Sequence, residues 1–224
     1  MNDDIIWDET ETPVSRRFDD PYYSKRDGRA ETRHVFIDGN DVERRWLTRA
    51  HFHIAELGFG TGLNFFETVK AWRASERQDA QLTYISFELY PLTADDIARA
   101  LAPWPDLAAI AEPFLRGLAL QTDDIEIDDV SLKLIRGDAN GLVKEMSLKA
   151  DAWYLDGFSP AKNPELWNCD LMCAVYDKTA PGGTFATYTA AGWVRRMLEE
   201  AGFVVERREG FATKRHMTVG RKPD

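Results

Sequence analysis

The sequence predicts a mostly parallel, doubly wound α/β sheet closed by a C-terminal antiparallel hairpin. Three observations lead there. From residue 51 onward, short apolar segments with strand character alternate with stretches of helical length. The first strand and helix meet at a glycine corner, Gly58-Phe59-Gly60-Thr61-Gly62. The chain then ends in two strand-like segments with no helix between them. Alternation of this kind places helices on both faces of a parallel sheet, through right-handed crossovers.

Taken in order, residues 1–50 read as a β-rich N-terminal extension of short strands and turns, with Asp27-Gly28 and Asp38-Gly39-Asn40 as turn signals. It is expected to cover the mouth of a site. Residues 51–224 form the main domain. Its expected strands are 53–57, 82–88, 132–136, 152–156 and 184–187, each short and apolar. Its expected helices are 63–74, 93–101, 141–148, 164–179 and 192–201. Residues 102–130 break the rhythm with three prolines and the acidic run Asp123 to Asp129. They read as an inserted helical excursion followed by an acidic turn or small strand. Residues 203–207 and 213–220 complete the hairpin around Glu209-Gly210.

A chain of 224 residues suffices for one α/β domain with a substantial core. No apolar run approaches a membrane span, and Met1-Asn2-Asp3-Asp4 does not begin a signal peptide, so a cytoplasmic location is expected. Cys169 and Cys173 lack the two further ligands that zinc needs, so no metal is expected and both read as buried reduced thiols. The net charge of −10 argues against a general nucleic-acid binder. The charge is uneven, however. Residues 51–184 carry a net −10, whereas residues 185–224 carry eight basic and five acidic residues. Basic clusters near both ends are expected to meet at one rim, although solvated surface charge explains each cluster equally well.

The glycine corner has a physical purpose. A chain leaving a parallel strand must turn sharply into a helix, and glycine permits positive φ and close approach of backbone N–H groups to a ligand. The helix N-terminus beyond it favours negative charge. A dinucleotide fingerprint needs its third glycine at position 63, where Leu63 stands; the glycine falls at Gly62. This spacing favours S-adenosylmethionine (SAM), whose carboxylate suits the helix start. Gly58, Gly60, Thr61, Gly62 and Asn64 are the expected cofactor loop. Glu56 ends the first strand where an acid can meet the methionyl ammonium. Glu88 ends the second, placed for the ribose hydroxyls, and Asp138 follows the third, placed for the adenine amino group. Asp156 ends the fourth, also beside the cofactor. Four acids on one rim, with a closing hairpin, fit the Rossmann-like sheet of class I SAM-dependent methyltransferases.

Asp156 is the candidate catalytic residue. Amino-group methylation needs a neutral nitrogen lone pair aimed at the methyl, yet an alkylamine with a pKa of about 10.4 arrives mostly protonated. A carboxylate can accept its N–H, orient the lone pair and stabilise the developing ammonium, while remaining a weak proton acceptor. Phe158 can flank the methyl or stack on a base, with Tyr22 and Tyr23 offering a second aromatic face. Lys162, Arg195, Arg196, Lys214 and Arg215 are candidate phosphate contacts, although any one such side chain is more often plain surface.

The residues that make up these motifs resemble a known family. Thr12-Pro13-Val14-Ser15, Phe18-Asp19-Asp20, Glu31-Thr32-Arg33-His34-Val35-Phe36, Gly58 to Phe65, and above all Leu155-Asp156-Gly157-Phe158-Ser159-Pro160-Ala161-Lys162-Asn163-Pro164-Glu165-Leu166-Trp167 carry the likeness. So do Pro181 to Thr184, Ala191 to Arg196 and Gly210-Phe211. Across nearly its whole length the chain resembles the methyltransferase domain of the bacterial bifunctional enzymes that complete 5-methylaminomethyl-2-thiouridine at the tRNA wobble position. The resemblance implies SAM-dependent N-methylation of 5-aminomethyl-(2-thio)uridine, with Asp156 at the transfer centre and the tRNA anticodon loop as partner. In those relatives an FAD-dependent oxidoreductase domain follows. The sequence here ends at Asp224, so FAD is not expected and a separate enzyme is expected to supply the amine. Two other readings remain at this stage: a methyltransferase of a small-molecule or protein amine, and a non-catalytic SAM-binding module.

Overall fold

The computed structural model describes residues 5–224 apart from Gln78 and Leu148. The expected start at Met1 to Asp4 and the expected helix end at Leu148 therefore lie outside the described residues. The chain begins with a small antiparallel sheet, β1 (Ile5–Trp7), β2 (Pro13–Ser15) and β3 (Asp20–Pro21). It continues through α1 (Gly28–Thr32), a π-helical turn over Arg33–Asp38, and α2 (Val42–Trp46).

Here the structure departs from the expectation of a β-rich extension: strands stop at Pro21 and helical structure runs from Gly28 to Trp46. Asp27-Gly28, read as a turn, is a helix start. The Asp27 side chain accepts from the Ala30 N–H, satisfying a donor at the helix end. Beyond it Val35, Phe36, Ile37, Val42 and Trp46 are all buried. Their burial against the domain decides the conformation over local turn propensity.

The main sheet follows, with α/β alternation as expected. Its elements are β4 (His51–Leu57), α3 (Leu63–Ala74), β5 (Gln81–Glu88), α4 (Ala94–Leu101), α5 (Pro105–Ala119), β6 (Asp124–Ile127), β7 (Val130–Arg136), α6 (Ala139–Glu145), β8 (Ala150–Leu155), α7 (Cys169–Asp177), β9 (Thr179–Thr187), α8 (Gly192–Glu200), β10 (Val204–Glu209) and β11 (His216–Arg221). The strand order is β10-β11-β9-β8-β4-β5-β7-β6. The five strands from β9 to β7 are parallel, whereas β11 lies antiparallel between β9 and β10. The irregular stretch resolves into α5, which buries Leu107, Ala111, Phe114 and Leu118, and β6, antiparallel to β7 at the sheet edge. Exposed Asp124 and Glu126 keep that edge from pairing further.

Each central strand is buried on both faces. On β8, Ala152 and Tyr154 enter one core with Phe65, Trp72 and Phe114, while Trp153 and Leu155 enter the other with Phe87, Leu171 and Phe185. Period-two alternation between two apolar layers explains why the strand reads as a continuous apolar run.

Two sequence expectations fail locally. The helix expected over 164–179 is split into a 3-10 turn, Pro164–Leu166, and α7. Asn168 is extended, and its side chain accepts from the Leu171 N–H, so a new helix starts there. Cys169 and Cys173 are free thiols as expected, but exposed. The stripe that α7 buries is Leu171, Met172, Ala174 and Val175, which turns both cysteines outward.

The N-terminal segment is bolted to the sheet through Asn40, which is 1% exposed. Its Nδ2 donates to the carbonyls of Phe36 (3.0 Å) and Trp153 (3.2 Å), and its Oδ1 accepts from Thr184 Oγ1 at 2.7 Å. Asn40→Ala removes three buried side-chain hydrogen bonds that join the segment to the sheet, and a loss of about 2–3 kcal/mol in urea unfolding is expected. A loss below about 0.5 kcal/mol, the usual scatter for a surface substitution, would show that this anchor contributes little.

Candidate active site

The strand order reverses between β4 and β8, and ligands of open α/β sheets sit beyond the carboxyl ends of the strands at such a point. The glycine corner follows β4, and Asp156 follows β8. Gly58, Gly60 and Gly62 all have positive φ (88°, 51° and 71°), a conformation that side chains rarely adopt. A Cβ on Gly58 would stand 2.4 Å from the Asp156 carbonyl oxygen, so the two loops touch through backbone. Together they open onto a cavity of about 630 Å3 lined by Gly58, Gly60, Thr61, Asn64, Glu88, Asp138, Asp156 and Phe158.

Asn64, in the first turn of α3, ties the floor together. Its amide nitrogen donates to Glu56 Oε1 at 2.9 Å and to Asp156 Oδ2 at 2.7 Å. Its oxygen accepts from Thr32 Oγ1 at 2.7 Å. Glu56 is fully buried, with Ser86 Oγ donating to its other oxygen at 2.8 Å. Burial pushes the Glu56 carboxyl up to about 8, aided by the charge of Asp156. Burial likewise lifts Asp156 to about 7, opposed by the Asn64 hydrogen bond. A raised Asp156 carboxyl is still far less basic than an alkylamine of pKa about 10.4.

Along the rim, Glu88 accepts from the N–H groups of Gly60 (3.0 Å) and Tyr90 (2.7 Å). Burial raises its pKa, against those same backbone bonds. Asp138 uses Oδ1 to cap α6 through the Asn140 N–H at 2.9 Å. It lines the cavity while also serving as a helix cap.

An aromatic wall faces the acids. Phe158 stacks on Phe18 with ring centroids 4.6 Å apart, and Tyr22 meets it edge-on at 5.1 Å. Tyr22 also lies over Gly60, where a Cβ would come within 3.1 Å of its ring. The loop after β8 is held to this N-terminal strap: the Ser159 N–H donates to Asp20 Oδ2 at 2.9 Å, and Lys162 donates to the Asp19 carbonyl. Tyr23 donates its hydroxyl to the Ala100 carbonyl.

The candidate cationic residues divide. Lys162 and Lys214 line the cavity; Arg195, Arg196 and Arg215 do not. Lys214 pairs with Glu31 at 2.8 Å and sits 3.9 Å over the Tyr188 ring, whose hydroxyl donates to the Gly157 carbonyl. The two chain ends do meet, as expected from charge, but through Lys214 with Glu31 and His34 with the Glu209 carbonyl. The N-terminal cations are largely engaged: Arg29 with Glu67 and Asp106, Arg33 with Glu43, Lys25 with Asp8. Sequence reasoning assigned no role to Glu31, Thr32 or Tyr188. Glu31 and Thr32 stand in a stretch that carries the family resemblance, which was the available signal; Tyr188 had none.

The residues fit S-adenosylmethionine. A ligand carrying an ammonium and a sulfonium meets Glu88, Asp138 and Asp156 around one cavity, whereas Glu56 is buried behind Asn64 and outside the cavity lining. The N-terminus of the twelve-residue α3 offers N–H groups for its carboxylate. Among the described residues, no group of His, Cys, Asp and Glu gathers as a metal site, and no helix is long and apolar enough to cross a membrane.

A sheet with its last strand inserted antiparallel beside the fifth parallel strand, and an acid-lined cavity at the glycine corner, defines the class I methyltransferase fold. The chain belongs to the S-adenosyl-L-methionine-dependent methyltransferase family, which matches it over residues 106–223, just over half its length. It is similar to the crystal structure of MnmC2 from Aquifex aeolicus, with 26% identity and a TM-score of 0.81, over 99% of this chain and 72% of that one. This agrees with the family resemblance carried by the sequence. DesVI from Streptomyces venezuelae is similar in fold alone, at 15% identity and a TM-score of 0.50, over 88% of this chain and 92% of that one.

Two outcomes follow from the geometry. Gly58→Ala forces a side chain onto φ +88° and against the Asp156 carbonyl. Strain of about 1–3 kcal/mol is expected to weaken SAM binding by roughly tenfold or more in calorimetry; unchanged affinity would remove the loop from the cofactor site. The second concerns pH. Glu56 and Asp156 hold protons in the folded state that the unfolded chain has released above its ordinary values of 4.5 and 3.8. Their contribution is complete below those values and is lost as pH rises towards about 7 for Asp156 and 8 for Glu56. The ligand-free protein should therefore melt at lower temperature at pH 8 than at pH 5, and Glu56→Gln should flatten the slope. An equal slope in parent and variant would show that Glu56 does not carry the effect.

Proposed function

We propose that the chain transfers the methyl group of S-adenosylmethionine to the amine of 5-aminomethyl-(2-thio)uridine at the tRNA wobble position. The observation that carries the reading is Asp156. Its carboxyl shares the Asn64 amide with Glu56 and faces a cavity that reaches both the glycine corner and the Phe158 wall. The substrate is supported by the long sequence resemblance, Leu155 to Trp167 above all, and by the likeness to MnmC2 over 99% of the chain.

In this reading Glu88 and Asp138, with the loop of Gly58, Gly60, Thr61, Gly62 and Asn64, hold the cofactor, and Glu56 stands behind Asn64. When bound, the cofactor supplies an electrophilic methyl on a sulfonium. Asp156 accepts the N–H of the incoming amine, orients its lone pair and stabilises the charge that develops. Positioning of this kind can supply several kcal/mol, up to roughly 7–11 in ideal cases. Asn64, fixed by Thr32, holds the Asp156 carboxyl in place. Phe158, with Phe18 and Tyr22, offers a flat face for a base turned out of the anticodon loop, the usual state in which RNA loop bases are read. The aminomethyl group is already on the RNA when this step begins, and the methyl transfer itself needs no FAD.

The test uses labelled SAM and tRNA bearing aminomethyluridine, digested to nucleosides. Label is expected in methylaminomethyluridine. Asp156→Asn should lower kcat/KM by roughly 10²–10⁴-fold, the range for a positioned acid–base group, with a much smaller loss of SAM affinity. Label found in proteins or metabolites but absent from tRNA would overturn the substrate. Unchanged turnover of the variant would overturn the role of Asp156.

A further inference from the structure

Most arginines over the rest of the molecule are paired, as Arg29 is with Asp106, Arg99 with Glu11 and Arg136 with Asp123. The face made by α8 and the β10–β11 hairpin differs. Among the described residues, Arg195, Arg196, Arg207 and Arg215 make no ion pair or side-chain hydrogen bond, and Arg195 Nε is buried without a partner.

The fold gathers these side chains. In the hairpin register Arg207 stands opposite Thr218, and Glu209 opposite His216, so Arg207 and His216 share a face two positions apart along the ladder. Val205, on that same face of β10, packs into the core that also takes Val194 and Leu198 of α8. Arg195 of that helix is close enough for its charge to act on His216. Partial removal from water lowers the pKa of His216, and the charges of Arg207, Arg215 and Arg195 lower it further. Arg215 follows Lys214, which lines the cavity, so the basic face is continuous with the cavity mouth. Trp193, 39% exposed, stands at the start of α8, three residues before Arg196.

On a protein of net charge −10, unpaired guanidinium groups gathered at one place call for an anionic partner. Guanidinium forks match phosphate oxygens, and an exposed indole beside them suits a nucleotide base. We propose that the α8 and β10–β11 face is an RNA track, on which Arg195, Arg207 and Arg215 hold the phosphodiester backbone flanking the nucleoside that enters the cavity. This rests on the RNA substrate read above. It explains how a strongly acidic protein binds a polyanion: attraction is confined to one strip that ends at the reacting centre.

The test measures binding directly, so that it stands apart from catalysis. A fluorescent RNA hairpin the size of an anticodon arm is titrated with the parent, with Arg207→Gln/Arg215→Gln, and with the control Arg116→Gln/Lys133→Gln, which removes equal charge near the opposite sheet edge. Arg207 and Arg215 are exposed, so the fold should survive, and SAM affinity reports whether it does. The hairpin variant should bind RNA about tenfold or more weakly, and the slope of log affinity against log salt should fall by about 1–2, as for the loss of two phosphate contacts. Its kcat at saturating RNA should match the parent, the loss appearing in KM. Equal affinity and slope in parent and hairpin variant would overturn the track, as would an equal loss in the control. Displacement of the RNA by poly-aspartate as readily as by unlabelled RNA would also overturn it, showing a general anion surface. Tight binding lost in the variant, with no methylation by the parent, would leave the track standing and overturn the reaction.

Discussion

One side-chain amide holds the site together. Asn64 offers two N–H groups, and both go to carboxyls, Glu56 on one side and Asp156 on the other. Two acids brought this close in a dry environment repel each other when ionised, and burial penalises each charge separately. The amide bridge makes their coexistence tolerable. Everything around it serves to aim that amide: Thr32 fixes its oxygen, α3 sets its backbone, and the glycine corner turns β4 sharply enough to place it beneath Asp156.

The bridge also explains why the N-terminal segment belongs to the site. Thr32 lies in α1, and Phe18 and Tyr22 lie in the strap before it. Asn40 and Arg45 fasten the following turn to β8 and β9, with Arg45 donating to the Asp151 carbonyl and to Thr184. The first fifty residues thus supply one wall of the cavity and one hydrogen bond of its floor.

Much of this was legible in sequence where chemistry is local. Alternating apolar runs place strands on a sheet, and Gly58-Phe59-Gly60-Thr61-Gly62 identifies a corner because positive φ is a property of single residues. Acids at strand ends could be read because a parallel sheet brings all strand ends to one rim. The missed features depend on distant parts of the chain. The segment from Gly28 to Trp46 is helical because the domain buries one side of it, which no turn signal encodes. The outward turn of Cys169 and Cys173 follows from the helix that Asn168 starts, which buries Leu171, Met172, Ala174 and Val175 instead. Tyr188 enters the site only because Gly157 and Lys214 converge on it from loops far apart in the chain.

The position of β11 bears on how the molecule is made. Because it lies between β9 and β10, the earlier strand β10 joins the sheet only through its pairing with the later-synthesised β11. During vectorial synthesis β9 therefore waits with an open hydrogen-bonding edge and β10 has nothing to pair with. Arg207, Arg208 and Glu206, exposed along β10, keep that orphan strand soluble and averse to self-association in the interval. The same charges that make the finished surface polar thus also disfavour edge-to-edge pairing of an unpartnered strand.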